Sequence, residues 1–219
     1  MFRILLITVF LLGAKLLVGQ EISISSDLNI RSYFSYDILG EVNDRVLIYR
    51  DKGFVQEIDV FNKNLEHTQY AELLFEEKKV DVFNVMALDT MFQVLYGYFE
   101  NDTMVFRMRR YDHKVSIIDT AFVAQIPKSS IRKRITSVIS EDKSKVLLYT
   151  YDAEENFYFY IFDNKAKLVI WQQKIRIQDC NPRKDIHEII MTDNGNFFLI
   201  LNTTEEVNDE TSPLRLLFF

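Results

Sequence analysis

Surface chemistry needs carboxylates, imidazoles, thiols or cations gathered in one place, and this chain offers a few candidate sets. Acidic residues recur at Glu41, Asp44, Asp89, Glu141, Asp142 and Asp193. Paired carboxylates of this kind could hydrolyse a glycosidic bond by general acid and base action. Each of these six falls in a polar stretch between two apolar runs, however, where Asp, Asn and Glu serve turns by accepting backbone N–H bonds. His67, His113 and His187 are far apart and lie in no metal-ligand spacing. Cys180, the single cysteine, precedes Asn181-Pro182 and reads as a free loop thiol. Asp193-Asn194-Gly195 lacks the further oxygen ligands of a calcium loop and reads as a hairpin turn. There is no glycine-rich phosphate loop and no Gly-x-Ser-x-Gly elbow. No cofactor or metal is implied, and no catalysis is evident.

Cations form two clusters. One holds Arg107, Arg109, Arg110, His113 and Lys114; the other holds Lys128, Arg132, Lys133 and Arg134. Arg107, Arg109, Arg110, Arg132, Lys133 and Arg134 are the candidate basic patch for a polyanion or an acidic partner. A solvated edge balanced by nearby carboxylates is the plainer reading. The chain as a whole carries 26 Lys and Arg against 32 Asp and Glu, a net charge of −6, which argues against nucleic acid as a partner.

The elements that would position these residues follow from composition and pattern. The 219 residues are 48% hydrophobic and 14% aromatic, enough for a packed core and too apolar for a disordered tail. Residues 1–19 have the order of a secretory signal peptide: Arg3, an apolar run from Ile4 to Val18, then the small Gly19. Lys15 interrupts that run, which disfavours an uncleaved membrane anchor. Export places the mature chain, residues 20–219, in a secreted, periplasmic or cell-surface setting. A chain with no internal disulfide fits a Gram-negative bacterium. No membrane span is expected after signal removal. A terminal Phe219 is also found on outer-membrane barrels, but the apolar runs here are too short and too continuous for lipid-facing strands.

Beyond the signal the chain shows no 3.6-residue period, and β-branched and aromatic runs separated by polar clusters predict an all-β protein. A unit recurs within it. An apolar strand and a polar turn lead into a strongly apolar strand: Val46–Tyr49, Val94–Tyr96, Val146–Tyr149 and Phe197–Leu201. A third strand then ends in an aromatic–polar pair, Phe61-Asn62, Tyr111-Asp112 or Phe162-Asp163, spaced 50 and 51 residues apart. Fourth strands are expected at Tyr70–Phe75, Ser116–Ile126 and Leu168–Ile177. The repeats cover approximately residues 33–77, 79–126, 131–178 and 185–219. The last holds two strands, an acidic loop at Thr203–Ser212, and a final run, Leu214–Phe219, that would be its third strand.

Four-stranded units recurring every ~40–50 residues resemble the blades of exported bacterial β-propeller repeat proteins of WD40-like build. The resemblance covers roughly residues 33–219 and lies in period and strand order. No Trp-Asp dipeptide, kelch di-glycine or hexapeptide repeat is present, and glycine is scarce for blade turns. Continuous apolar strands support it, because stacked blades cover inner strands on both faces. The fold expected is a single domain of about four four-stranded antiparallel blades of ~50 residues, the last incomplete. Tyr49, Leu95, Leu147, Tyr149, Phe159, Ile161, Phe198 and Ile200 should be buried between sheets. Closure could come from Ile22–Ser26, or the run to Ile30, returning as the outer strand of the last blade. The apolar ending instead favours the leading blades of a longer propeller. The resemblance implies a binding or scaffolding module for a protein or glycan outside the cytoplasm. The alternative is a propeller-type hydrolase of glycan or peptide.

Overall fold

The computed structural model describes residues 24–25, 34–77, 79–131, 135–202 and 214–219. The signal-like segment 1–19 and the acidic loop lie outside the described residues. So does most of the run Ile22–Ile30; of it, Ile24 and Ser25 are exposed and belong to no strand, so these two residues do not form the expected closing strand.

Consecutive strands build four antiparallel sheets. The first is β1 (Ser35–Val42), β2 (Arg45–Asp51), β3 (Gln56–Phe61) and β4 (His67–Glu72). The second is β5 (Asp81–Ala87), β6 (Met91–Glu100), β7 (Thr103–Asp112) and β8 (Ile117–Pro127). A short 3-10 turn, Lys128–Ser130, leads to the third: β9 (Thr136–Ile139), β10 (Lys145–Tyr151), β11 (Asn156–Asp163) and β12 (Leu168–Arg176). The fourth has three strands: β13 (Ile186–Met191), β14 (Phe197–Asn202) and β15 (Leu214–Phe218). This is the expected propeller-like arrangement with an incomplete last blade.

Strand periodicity explains why the second strands of the two middle repeats, β6 and β10, are so apolar. Successive side chains point to opposite faces, and here each face meets a different sheet. Val94 and Tyr96 enter a core with Leu47, Tyr49, Ile58 and Val60 of the first sheet. Leu95, between them, enters a second core with Val146, Leu148 and Phe162 of the third. Leu147 points the other way, into a third core with Phe197, Leu199 and Leu201 of the fourth. Three cores thus join four sheets in sequence order.

The outward face of the fourth sheet behaves differently. Of the eight residues expected to be buried, Tyr49, Leu95, Leu147, Phe159 and Ile161 are, while Tyr149, Phe198 and Ile200 are only half-buried. Phe198 pairs in register with Ile190 and Phe218, and Ile200 with Leu216, on the face turned away from the third core. Leu216 and Phe218 are both 61% exposed.

Turns repeat as faithfully as strands. In each complete repeat the register of the last hairpin shifts just before the aromatic residue, between Val60/Phe61, Arg110/Tyr111 and Ile161/Phe162. Such a bulge re-aims the side chain, and Phe61, Tyr111 and Phe162 are all buried. The polar residue after it holds the turn. Asn62 Oδ1 accepts the amides of Asn64 and Glu66, Asp112 Oδ1 those of Lys114 and Ser116, and Asp163 Oδ1 those of Lys165 and Ala166. Leu65, Val115 and Lys167 take the left-handed conformation that closes each turn, at φ 59°, 62° and 59°. Non-glycine residues fill positions where glycine costs least, so scarce glycine is compatible with this fold. The first of the fourth strands departs from expectation: it is His67–Glu72 rather than Tyr70–Phe75, because Leu73, Leu74 and Phe75 belong to the crossing to the second sheet.

Two rings separate a face covered on both sides from one covered on a single side. Phe159→Ala, which empties a fully buried site, should cost about 3–5 kcal/mol in denaturant unfolding, and Phe198→Ala less than half of that. Equal losses would mean that both rings sit in equivalent environments.

Candidate functional site

The antiparallel order gives the array two unlike ends. One carries the β1–β2 and β3–β4 turns and their equivalents, and hydrogen bonds tie it together across sheets. The Asn43 amide donates to the Asp89 carbonyl at 3.0 Å, Lys143 Nζ to the Ala87 carbonyl at 2.7 Å, and the Asp142 amide to Asp193 Oδ1 at 3.0 Å. The recurrent acidic residues Asp89, Asp142 and Asp193 therefore stand at joints between sheets. Asp142 also accepts from the Ser144 amide and the Ser140 hydroxyl at 2.8 Å each, which hold its carboxyl well below the usual range.

The other end carries the β2–β3 turn and the connectors that cross from sheet to sheet. A cleft of about 480 Å³ opens there between the first and second sheets, a size that suits a ligand or an anchoring side chain. Phe54 from the β2–β3 turn, Leu74 and Phe75 from the connector, and Tyr98 and Phe99 from the end of β6 supply its apolar lining. Phe54 is 85% exposed, Leu74 68% and Phe99 47%. Glu72, Glu77, Asp81 and Lys79 add charge. A smaller cleft of about 230 Å³ lies between the third and fourth sheets, lined by Tyr149, Tyr151, Arg183 and His187 among others.

Of the predicted basic residues, the three that the structure describes, Arg107, Arg109 and Arg110, do not share one exposed surface. Arg107 and Arg109 share a face of β7, as residues two apart must, but their surroundings differ. Arg109 is buried: its Nε donates to Thr120 Oγ1 at 3.1 Å, an Nη donates to the Leu74 carbonyl at 2.6 Å, and its guanidinium covers the rings of Phe75 and Tyr96. It bolts the connector to the second sheet. Arg107 is half-buried, donates to the Tyr98 hydroxyl at 3.2 Å and covers that ring, so it backs the cleft. Arg110 points to the opposite face, where it pairs with Asp119, which Lys167 of the third sheet also reaches at 2.7 Å. Arg132, Lys133 and Arg134 lie outside the described residues. Burial pushes the Tyr96 hydroxyl up to about 12, so beside Arg109 it stays protonated and neutral.

Sequence reasoning missed a buried charge network on the face of the first sheet turned away from the second. Glu57 and Asp59 are 1% and 2% exposed; Arg50 stands opposite Glu57 in the ladder, and its guanidinium reaches Glu57 at 3.7 Å and Asp59 at 2.5 Å. Lys52 reaches Glu57 at 2.9 Å, the Tyr70 hydroxyl donates to Glu57, and His67 Nε2 meets Asp59 at 2.8 Å. The available signal was Arg50, Glu57 and Asp59 standing in strands whose equivalents in the other repeats are mostly apolar or aromatic. His113 meets Asn43 at 3.3 Å and His187 lines the smaller cleft. Among the described residues no group of three or more His, Cys, Asp or Glu is placed to hold a metal ion. Cys180 is buried in the third core, where loss of hydration pushes its thiol up to about 11.

No family model matches this chain, and no curated protein does. Solved structures do. The β-propeller domain of the Trilobed protease from Pyrococcus furiosus superposes with a TM-score of 0.50 at 13% identity, over 85% of this chain and 55% of that one. An uncharacterized protein from Listeria monocytogenes matches at 0.45 and 17% identity, over 90% and 52%. The Nup133 β-propeller domain of Vanderwaltozyma polyspora matches at 0.39 and 12%, over 72% and 50%. The chain spans about half the length of these structures. At such identities the likeness speaks to fold, and the fold is propeller-like.

Two solution properties follow from the ionisable groups. With its thiol at about 11, Cys180 should resist a disulfide reagent at pH 8 in the folded protein and react fully once the chain is denatured; rapid labelling of the folded form would place it at the surface. Burial alone would raise the Asp152 carboxyl, but hydrogen bonds from Asn156, the Tyr158 hydroxyl and the Glu154 amide outweigh it and hold the group at about 2. A carboxyl lowered on folding stabilises the protein above its unfolded value, near 4, and that contribution disappears as pH falls through about 2. Urea titrations from pH 5 to pH 2 should show Asp152→Ala losing less stability over this range than the parent. Parallel curves would separate Asp152 from acid unfolding.

Proposed function

We propose that the protein is an extracytoplasmic binding module, exported through residues 1–19, that engages a protein or glycan partner with the connector end of its sheet array. A propeller-like stack supplies the rigid support, and connectors are where such supports carry recognition. The observation that carries this reading is the cleft between the first two sheets. It combines exposed apolar groups, Phe54 and Leu74, with ionisable ones on connecting segments, as an interaction site combines an apolar centre with a polar rim.

The test compares two single variants of the mature protein immobilised against its own extracytoplasmic fraction and against a glycan array. Phe54→Asp should abolish retention of the partner or glycan that the parent holds. Asn64→Asp, on the β3–β4 turn at the opposite end, should leave it intact. Identical retention by the parent and both variants would remove the cleft from the binding surface.

A further inference from the structure

Resting on the reading of this cleft as a binding site, the geometry points to its occupant: we propose an extended peptide segment of a protein partner that presents a Lys or Arg side chain beside an apolar one. Among the described residues that line the cleft, Glu72, Glu77 and Asp81 outnumber Lys79, with Arg107 behind Tyr98 and Lys128 over Phe99 as the nearest further cations. Glu77 makes this imbalance specific. Its Oε2 is buried and accepts no hydrogen bond, and a buried carboxylate oxygen left without a donor is costly. An incoming ammonium or guanidinium would supply both the donor and the opposite charge.

The apolar half of the cleft asks for a different group. Phe54, Leu74 and Phe99 project from three separate segments, the β2–β3 turn, the β4–β5 connector and the end of β6, and all three are exposed. An aromatic or branched aliphatic side chain set among them would be covered from several sides, as anchor residues of protein interfaces are. Rings in this corner already take cations of the chain itself, Arg107 over Tyr98 and Lys128 over Phe99. The same ring chemistry therefore suits the stem and head of a partner's basic side chain. A neutral glycan carries no cation to meet Glu77, which favours a peptide over a glycan.

The probes are two synthetic peptides, acetyl-Gly-Leu-Lys-Phe-Gly-amide and its counterpart with Glu in place of Lys, titrated into the mature protein at low salt and followed by amide chemical shifts. The Lys peptide should bind about tenfold more tightly than the Glu peptide. Glu77→Gln should bring the two to within about twofold of each other, and Phe54→Ala should weaken both. Amide spectra of the variants report whether each is folded, and Asp81→Asn, which should narrow the gap partly, serves if Glu77→Gln is not. Equal binding of the two peptides, no binding of either, or an unchanged gap in Glu77→Gln would overturn the cation-recognising site. In those cases retention of a partner that Phe54→Asp abolishes would still uphold the broader reading, whereas loss of both would end it.

Discussion

The structure depends on burying alternate side chains of one strand in two different cores. Val146 and Leu148 are committed to the second sheet and Leu147 to the fourth, so β10 cannot shift register by one residue without exchanging every partner. The same holds for β6, between the first and third sheets. Stacking, rather than hydrogen bonding within a sheet, holds the repeats in order, because the described ladders join strands of the same repeat only. It also explains the outward face of the fourth sheet. The strand pattern there is the same, but with one neighbour only half of the apolar residues are covered, and Ile190, Leu216 and Phe218 remain exposed. Apolar faces of this kind are interaction surfaces or sources of association.

Much of this was legible in the residues, for a local reason. A turn is built from neighbours, so Phe61-Asn62, Tyr111-Asp112 and Phe162-Asp163 could be read as one recurring device before their roles were known. The roles are now physical: a bulge turns the ring inward, and the polar side chain gathers the amides of the following turn. Continuous apolar strands were legible as two-sided burial by the same logic. What could not be read depends on parts distant in sequence. The first fourth strand was misplaced because Leu73, Leu74 and Phe75 are as apolar as a strand, yet they form a crossing whose course is set by Arg109 bonding to the Leu74 carbonyl. Arg107, Arg109 and Arg110 looked alike as a basic run, and strand alternation together with Asp119 and Thr120 sent them to three different environments.

The two ends of the array differ in how fully their side chains are partnered. At one, Asp89 joins two sheets through its backbone carbonyl, and the carboxylates of Asp142 and Asp193 are held by backbone and hydroxyl donors. At the other, the connectors leave a cleft whose rings and carboxylates are only partly partnered. The charge network of Arg50, Glu57 and Asp59 belongs to neither end. It sits on the outward face of the first sheet, where a buried ion pair adds little net stability but removal of one partner is costly.

The most direct test of the account is a methyl nuclear Overhauser experiment on Leu147 and Leu148, adjacent residues of β10. Two-sided stacking predicts that the Leu147 methyls show contacts to side chains of the fourth sheet and the Leu148 methyls to side chains of the second. Contacts to another sheet from one residue only, with the methyls of the other showing contacts to water instead, would describe a one-sided sheet and contradict the stacked array.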